Sequence, residues 1–109
     1  MQPLKGLKVI DLSKVLAGPL CGQFLGELGA DVVKVEPVGH GDDTRAWFPQ
    51  EQGQSATFLA VNHNKRGLAL DLKSADGQRL IHELVAGADC GTAPCRRSCP
   101  VPECFACLR

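Results

Sequence analysis

An α/β fold on a parallel sheet is the class that this sequence predicts. Residues 7–12 (Leu-Lys-Val-Ile-Asp-Leu) and 31–36 (Asp-Val-Val-Lys-Val-Glu) are short apolar runs rich in β-branched side chains, and they read as buried strands. Between them Leu20, Cys21, Phe24, Leu25 and Leu28 recur at helical spacing. Strand, helix and strand within about thirty residues make a βαβ unit, which needs a right-handed crossover and parallel strands. A further strand and helix follow it.

Each element has its local signals. Gly6 precedes the first strand, and Ser13-Lys14 ends it. Pro19 suits the start of a helix, where its missing N–H leaves no bond unmade. Gly22 and Gly26, four apart, allow that helix to pack closely on a neighbour, and Gly29 supplies a left-handed C-terminal cap. Residues 37–55 form a long polar segment containing Pro37, Gly39, Gly41 and Pro49; loops of that length inside a domain are usually functional. Trp47 and Phe48 are expected to anchor it by apolar burial. Residues 56–61 are a short helix or strand, residues 62–67 a turn, and residues 68–72 (Leu-Ala-Leu-Asp-Leu) a third strand. Ser74 caps a last helix with Leu80, Ile81, Leu84 and Val85 on one face, ended by Gly87.

Composition narrows the function classes. A chain of 109 residues is one small domain or part of a larger one. Its 44% hydrophobic and 22% charged content is that of a globular protein. Net charge is zero, so the basic excess of a nucleic-acid binder is missing. No run approaches the roughly 20 apolar residues that span a bilayer. Residues 1–6 lack an apolar signal core, which favours the cytoplasm, where thiols stay reduced. The chain divides into a body at 4–89 and a tail at 90–109; the tail carries five of the six cysteines and three of the seven prolines.

Several segments could carry chemistry. The strand-to-helix loop Ser13-Lys14-Val15-Leu16-Ala17-Gly18-Pro19 precedes a helix N-terminus, which favours anions, and follows a strand's carboxyl end, where α/β sheets bind ligands. The same loop can be a tight connection and nothing more. It lacks the Gly-x-Gly-x-x-Gly fingerprint, which weakens any reading of Glu36 as a ribose-binding acid. Asp42 and Asp43 in Gly41-Asp42-Asp43-Thr44-Arg45 could bind a metal or share a proton, but such clusters are more often turns bonded to their own backbone. Lys73 lies just before a helix, where an ammonium can meet a bound phosphate or simply be solvated. His40, His63 and His82 have no metal-ligand spacing, and His82 is expected at the surface or its boundary. Cys21 fits the apolar stripe as a packed thiol.

Five blocks resemble the N-terminal region of the class III CoA-transferase family, which includes formyl-CoA:oxalate CoA-transferase and racemase relatives. They are residues 4–13, residues 15–19 (Val-Leu-Ala-Gly-Pro), residues 28–36 (Leu-Gly-Ala-Asp-Val-Val-Lys-Val-Glu), residues 41–45, and residues 62–66 running into Leu70-Asp71-Leu72-Lys73. The resemblance implies that the strand and helix units form a Rossmann-like arrangement. It implies an enzyme that moves CoA between carboxylic acids, the acyl group passing through an enzyme aspartate. It implies that coenzyme A is bound as a substrate, with Lys14, Val15, Leu16 and Ala17 along its site and Leu70 and Lys73 near its adenine and phosphate end. It implies no metal. The partners it implies are an acyl-CoA and a carboxylic acid, with no nucleic acid or membrane, and two chains interlocked as a homodimer. The family aspartate lies beyond the match, so no catalytic residue is assigned; Asp89 matches a structural Ala-Asp pair. Leu16 stands where the family often has Gln, and Pro37 where it has a basic residue.

The tail departs from the pattern. After Asp89 an apolar strand is expected, and the sequence reads Cys-Gly-Thr-Ala-Pro-Cys-Arg-Arg. Out-of-frame translation of GC-rich DNA yields such text, so the expectation is a frameshifted or disordered tail on an inactive, truncated enzyme fragment. The alternatives are a racemase of the same family, a CoA- or nucleotide-binding module without catalysis, a poorly folding fragment, and a zinc site using Cys104 and Cys107.

Overall fold

The structure, a computed structural model, describes residues 1–92. The elements run β1 (Lys8–Asp11), α1 (Ala17–Glu27), β2 (Asp31–Glu36), a 3-10 turn at Asp43–Ala46, β3 (Gln50–Glu51), β4 (Gln54–Ser55), α2 (Ala56–Val61), β5 (Lys65–Ala69), α3 (Ala75–Ala86) and β6 (Cys90–Thr92). Four strands form a sheet in the order β5-β2-β1-β6, every neighbouring pair parallel, and β3 and β4 form a separate antiparallel hairpin. The sheet builds outward from β1 to β2 and β5, and the chain then crosses back to place β6 on the other side of β1. That reversal makes the β1–β6 boundary the topological switch point, where sheets of this class bind ligands.

The two faces of the sheet are built differently. One is apolar: Ile10, Val35, Leu70 and Ile81 are buried together, with Leu12, Val33, Leu72, Leu84 and Val85 packed against them. Ile81 is fully buried, and it brings α3 onto this face. Val9 and Val32 point the opposite way because strand side chains alternate, and they pack with Ala30, Leu4 and Leu25 under α1. Further along that second face the side chains are Asp11, Lys34 and Glu36, all buried and all charged residue types.

Local chemistry ends the helices. Gly29, at φ 104°, closes α1 in a Schellman arrangement: its N–H donates to Gly26 O at 3.0 Å, and Ala30 N donates to Leu25 O at 3.1 Å. Ser74 Oγ accepts from Gly77 N at 2.9 Å at the start of α3. Ser55 Oγ accepts from Phe58 N at 3.3 Å, which settles residues 56–61 as a helix.

Several expectations are corrected. Apart from Leu25, the apolar stripe of α1 does not face the core: Leu20, Phe24 and Leu28 are exposed, as is Cys21, and the helix buries Pro19, Gly22 and Gln23 instead. The charges beneath it are the reason. A Cβ at Gly22 would lie 3.0 Å from Asp11 Oδ2 and 3.3 Å from Lys65 Nζ, so only the small-residue side of the helix fits there. The third strand starts three residues before the expected Leu68, because Lys65 pairs in register with Val32; the turn shrinks accordingly. Trp47 and Phe48 are exposed rather than anchoring, and polar bonds hold their segment (below). Ordered structure also continues past 89: Cys90–Thr92 pair with Val9–Asp11 as β6. Residues 93–109, with most of the tail reading, lie outside the described residues.

The two faces should respond differently to mutation. Ile81→Ala should cost about 2–5 kcal/mol, the range for emptying a buried aliphatic site. Phe24→Ser should change stability by no more than about 0.5 kcal/mol. Urea unfolding followed by circular dichroism measures both.

Candidate functional site

The site lies at the carboxyl ends of the parallel strands, and it is built on Asp11. This residue ends β1, is fully buried, and accepts from every side. Lys65 Nζ donates to its Oδ2 at 2.8 Å. Its Oδ1 accepts from Ser13 N at 2.9 Å, from Ser13 Oγ, and from Thr92 Oγ1 at 2.7 Å. Burial alone would push the carboxyl upward, but the bonds from Lys65, Ser13 and Thr92 together hold it below its ordinary value. The Lys65 ammonium also donates to Pro19 O at 2.7 Å, Asn62 Oδ1 at 2.9 Å and Val61 O at 3.2 Å. Burial draws its pKa downward, and Asp11 opposes that.

A second buried pair stands beside the first. Lys34 Nζ lies 2.9 Å from Asp42 Oδ2, with both side chains almost wholly buried. Lys34 also donates to Ser13 O at 3.1 Å. Asp42 Oδ1 accepts from Thr44 Oγ1 at 2.8 Å, Thr44 N at 3.0 Å and Val15 N at 3.3 Å. Burial raises the Asp42 carboxyl, and the Thr44 N–H, Lys34 and the Thr44 hydroxyl together bring it below its ordinary value. Glu36 completes the layer. Arg45 binds it in bidentate fashion, Nε to Oε2 and Nη2 to Oε1, each at 2.7 Å, and Asp42 N donates to Oε2 at 2.8 Å. The Arg45 bond is the main reason that the Glu36 carboxyl is held low. The Arg45 guanidinium also lies 3.8 Å over the Phe58 ring, a cation–π contact.

The β1–α1 loop rests on these pairs. Val15 has φ 72°, a left-handed conformation that a β-branched residue rarely takes. Leu16 is the N-cap of α1 and no side chain caps the helix, so its first amides are left open. Gly18 sits so tightly against Ser13 that any Cβ would collide with that side chain.

The residues proposed from sequence fall into separate groups. Lys14, Val15, Leu16 and Ala17 line this loop at the switch point; Lys14 is exposed, 3.7 Å from Asp43 Oδ2. Lys73 is exposed in the β5–α3 connection, where its N–H donates to Asp71 Oδ1 at 2.9 Å. The two connections leave the same edge of the sheet, two strands or about 10 Å apart. The Leu70 side chain is instead committed to the core beside Ile81. A cavity of about 340 Å³ at the end of β2 and along β5 is lined by Glu36, Pro37, His40, Arg45, Leu68 and Ala69. Glu36 is engaged with Arg45 rather than free to meet a ribose, and Lys65 and Arg66 are spent on Asp11 and Asp31. The Asp42-Asp43-Thr44 cluster is a turn bonded to its own backbone. Sequence reasoning missed Lys34, which it took as part of an apolar strand; its signal was a lysine between Val32 and Glu36 on one buried face. Among the described residues no group of His, Cys, Asp or Glu could hold a metal ion, and no helix is long and apolar enough to cross a membrane.

Residues 4–98 match the model of CoA-transferase family III. The chain belongs to that family. It is 48% identical over 90 residues to the succinyl-CoA:glutarate CoA-transferase of Homo sapiens, covering 82% of this chain and 20% of that protein. It is 45% identical over 87 residues to the acetyl-CoA:oxalate CoA-transferase of Acetobacter aceti, covering 80% of this chain and 22% of that one. A crystal structure of a CaiB/BaiF family protein from Brucella suis superposes with a TM-score of 0.77 at 46% identity, over 83% of this chain and 25% of the other. The chain thus spans about a fifth to a quarter of the relatives it matches. The parallel α/β architecture expected from the family resemblance is present.

The buried pairs make stability depend on acid. Asp11, Glu36 and Asp42 have folded values below their unfolded ones, so the unfolded chain takes up protons first as pH falls. Their contribution should be complete above the unfolded carboxylate range, about pH 4, and be lost as pH falls below it through the depressed values. Asp11→Asn should cost about 3–5 kcal/mol at neutral pH by leaving Lys65 buried and unpaired, and should flatten the acid limb. Denaturation midpoints from pH 7 to pH 2 check both.

Proposed function

We propose that this unit holds the CoA end of an acyl-CoA while the acyl group is exchanged between carboxylic acids, within a CoA-transferase that contains more chain than this. The family match over residues 4–98 carries the reading. The relatives named above supply its chemistry: their names state transfer of CoA to glutarate and to oxalate, so a dicarboxylic acid is the proposed acceptor class. The site supports it with uncapped amides at the start of α1, the strained loop from Lys14 to Ala17, and the Lys73 ammonium, which has no ion pair among the described residues. Leu70 would contribute through its backbone, since its side chain is buried.

The buried carboxylates at the strand ends are poor acyl acceptors. Asp11, Asp42 and Glu36 are buried and each is bonded to a cation. A covalent carboxylate must be reachable by the thioester. The family resemblance implies that the covalent step belongs to an aspartate beyond the match, and on that ground we propose that the 109-residue chain alone is inactive. Exposed Leu20, Phe24 and Leu28 on α1 support burial against further chain or a second subunit in an interlocked dimer. We propose a cytoplasmic location, consistent with Cys21 and Cys90 being unbridged among the described residues.

Calorimetric titration of the 109-residue chain with CoA should show binding, and Lys73→Ala should weaken it about tenfold. The loss should shrink at high salt because the contact is exposed. No heat with CoA or dephospho-CoA would refute the reading. A full-length family member carrying this unit should exchange CoA between succinyl-CoA and glutarate or oxalate, and the 109-residue chain should not.

A further inference from the structure

We propose that Asp42 is a positioning residue: paired with Lys34, it clamps Val15 in its left-handed conformation and so sets the shape in which the β1–α1 loop meets CoA. This rests on the CoA reading above. Val15 stands at φ 72° with a branched Cβ, a conformation that persists only when the surroundings hold it. The hold comes from 27 residues downstream, where Asp42 Oδ1 accepts the Val15 N–H at 3.3 Å. Lys34 secures both sides of that contact. Its ammonium lies 2.9 Å from Asp42 Oδ2 and donates to Ser13 O at 3.1 Å, two residues before Val15. The loop and the distant turn are therefore closed on one buried charge pair.

Asp42 cannot follow the loop if it relaxes. Thr44 donates to the same Oδ1 through its N–H at 3.0 Å and its hydroxyl at 2.8 Å. The Asp42 N–H donates to Glu36 Oε2 at 2.8 Å, and Glu36 is gripped by Arg45. The carboxylate is 3% exposed and belongs to neither apolar cluster. The sheet and α1 already have their own tie in Asp11 and Lys65. What Asp42 adds to β1–α1 is the conformation of one residue, at the switch point where a ligand is expected.

The test is a double-mutant cycle on the 109-residue chain, read by CoA calorimetry and by amide hydrogen exchange without ligand. Asp42→Asn should speed Val15 exchange about tenfold more than that of the α3 amides, whose shared rise measures the global cost of leaving Lys34 buried and unpaired, and should weaken CoA about tenfold. Val15→Gly takes the left-handed region freely, so in that background Asp42→Asn should cost less than about twofold. Thr44→Val, which removes one neutral bond to the same oxygen, should leave Val15 protected. Unchanged Val15 exchange, an equal rise across α3, or the same affinity loss in both backgrounds would overturn the clamp. Faster Val15 exchange in a chain that never binds CoA would refute the CoA reading alone and still support the clamp.

Discussion

The structure depends on the ion pair between Asp11 and Lys65. Its atoms are removed from water, which is costly unless every polar atom finds a partner. They all do: the ammonium meets acceptors from β1, α1, the last residue of α2 and Asn62, and the carboxylate meets donors from the loop after β1 and from β6. One pair therefore ties the sheet to both neighbouring helices and to the far side of the switch point. It also dictates what can cover it. Glycine at position 22 lets the helix backbone approach, and Leu20 and Phe24 of α1 are turned outward as a result.

From this pair the charged layer extends along one face of the sheet through Lys34 to Asp42 and from Glu36 to Arg45. The opposite face is an ordinary apolar core closed by α3. The apolar face offsets the entropy cost of ordering the chain. The charged face has a different effect. Because ion pairs are directional and an unpaired buried charge is expensive, it specifies one register and one loop shape rather than adding much net stability. The polar segment at 37–55 makes sense in these terms. Its first half is a buttress whose Asp42, Thr44 and Arg45 complete the layer behind the ligand loop.

The family relation fits that division of labour. The chain matches about a fifth to a quarter of the length of relatives such as the human glutarate enzyme. The proposed holding elements, the β1–α1 loop and Lys73, lie within that stretch. The three buried carboxylates at the strand ends, Asp11, Glu36 and Asp42, are tied up in structure.

By itself the sequence determined the α/β class, the parallel βαβ unit, the bounds of β2 at Asp31–Glu36, the caps at Gly29 and Ser74, and the placement of the Lys14–Ala17 loop at a strand end. These are local properties: β-branched runs, helical spacing and capping residues act over a few positions, so they can be read without knowing the partner. Tertiary structure decided the rest. The orientation of α1 followed from charges on another element, against its own apolar stripe. Lys65 and Lys34 carry no local mark of burial, and Asp11 and Asp42, distant in sequence, are brought against them only by the fold. The start of β5 was set by its pairing with β2, and β6 by its pairing with β1. Burial of a charge is a property of two segments at once, and a linear pattern records only one of them.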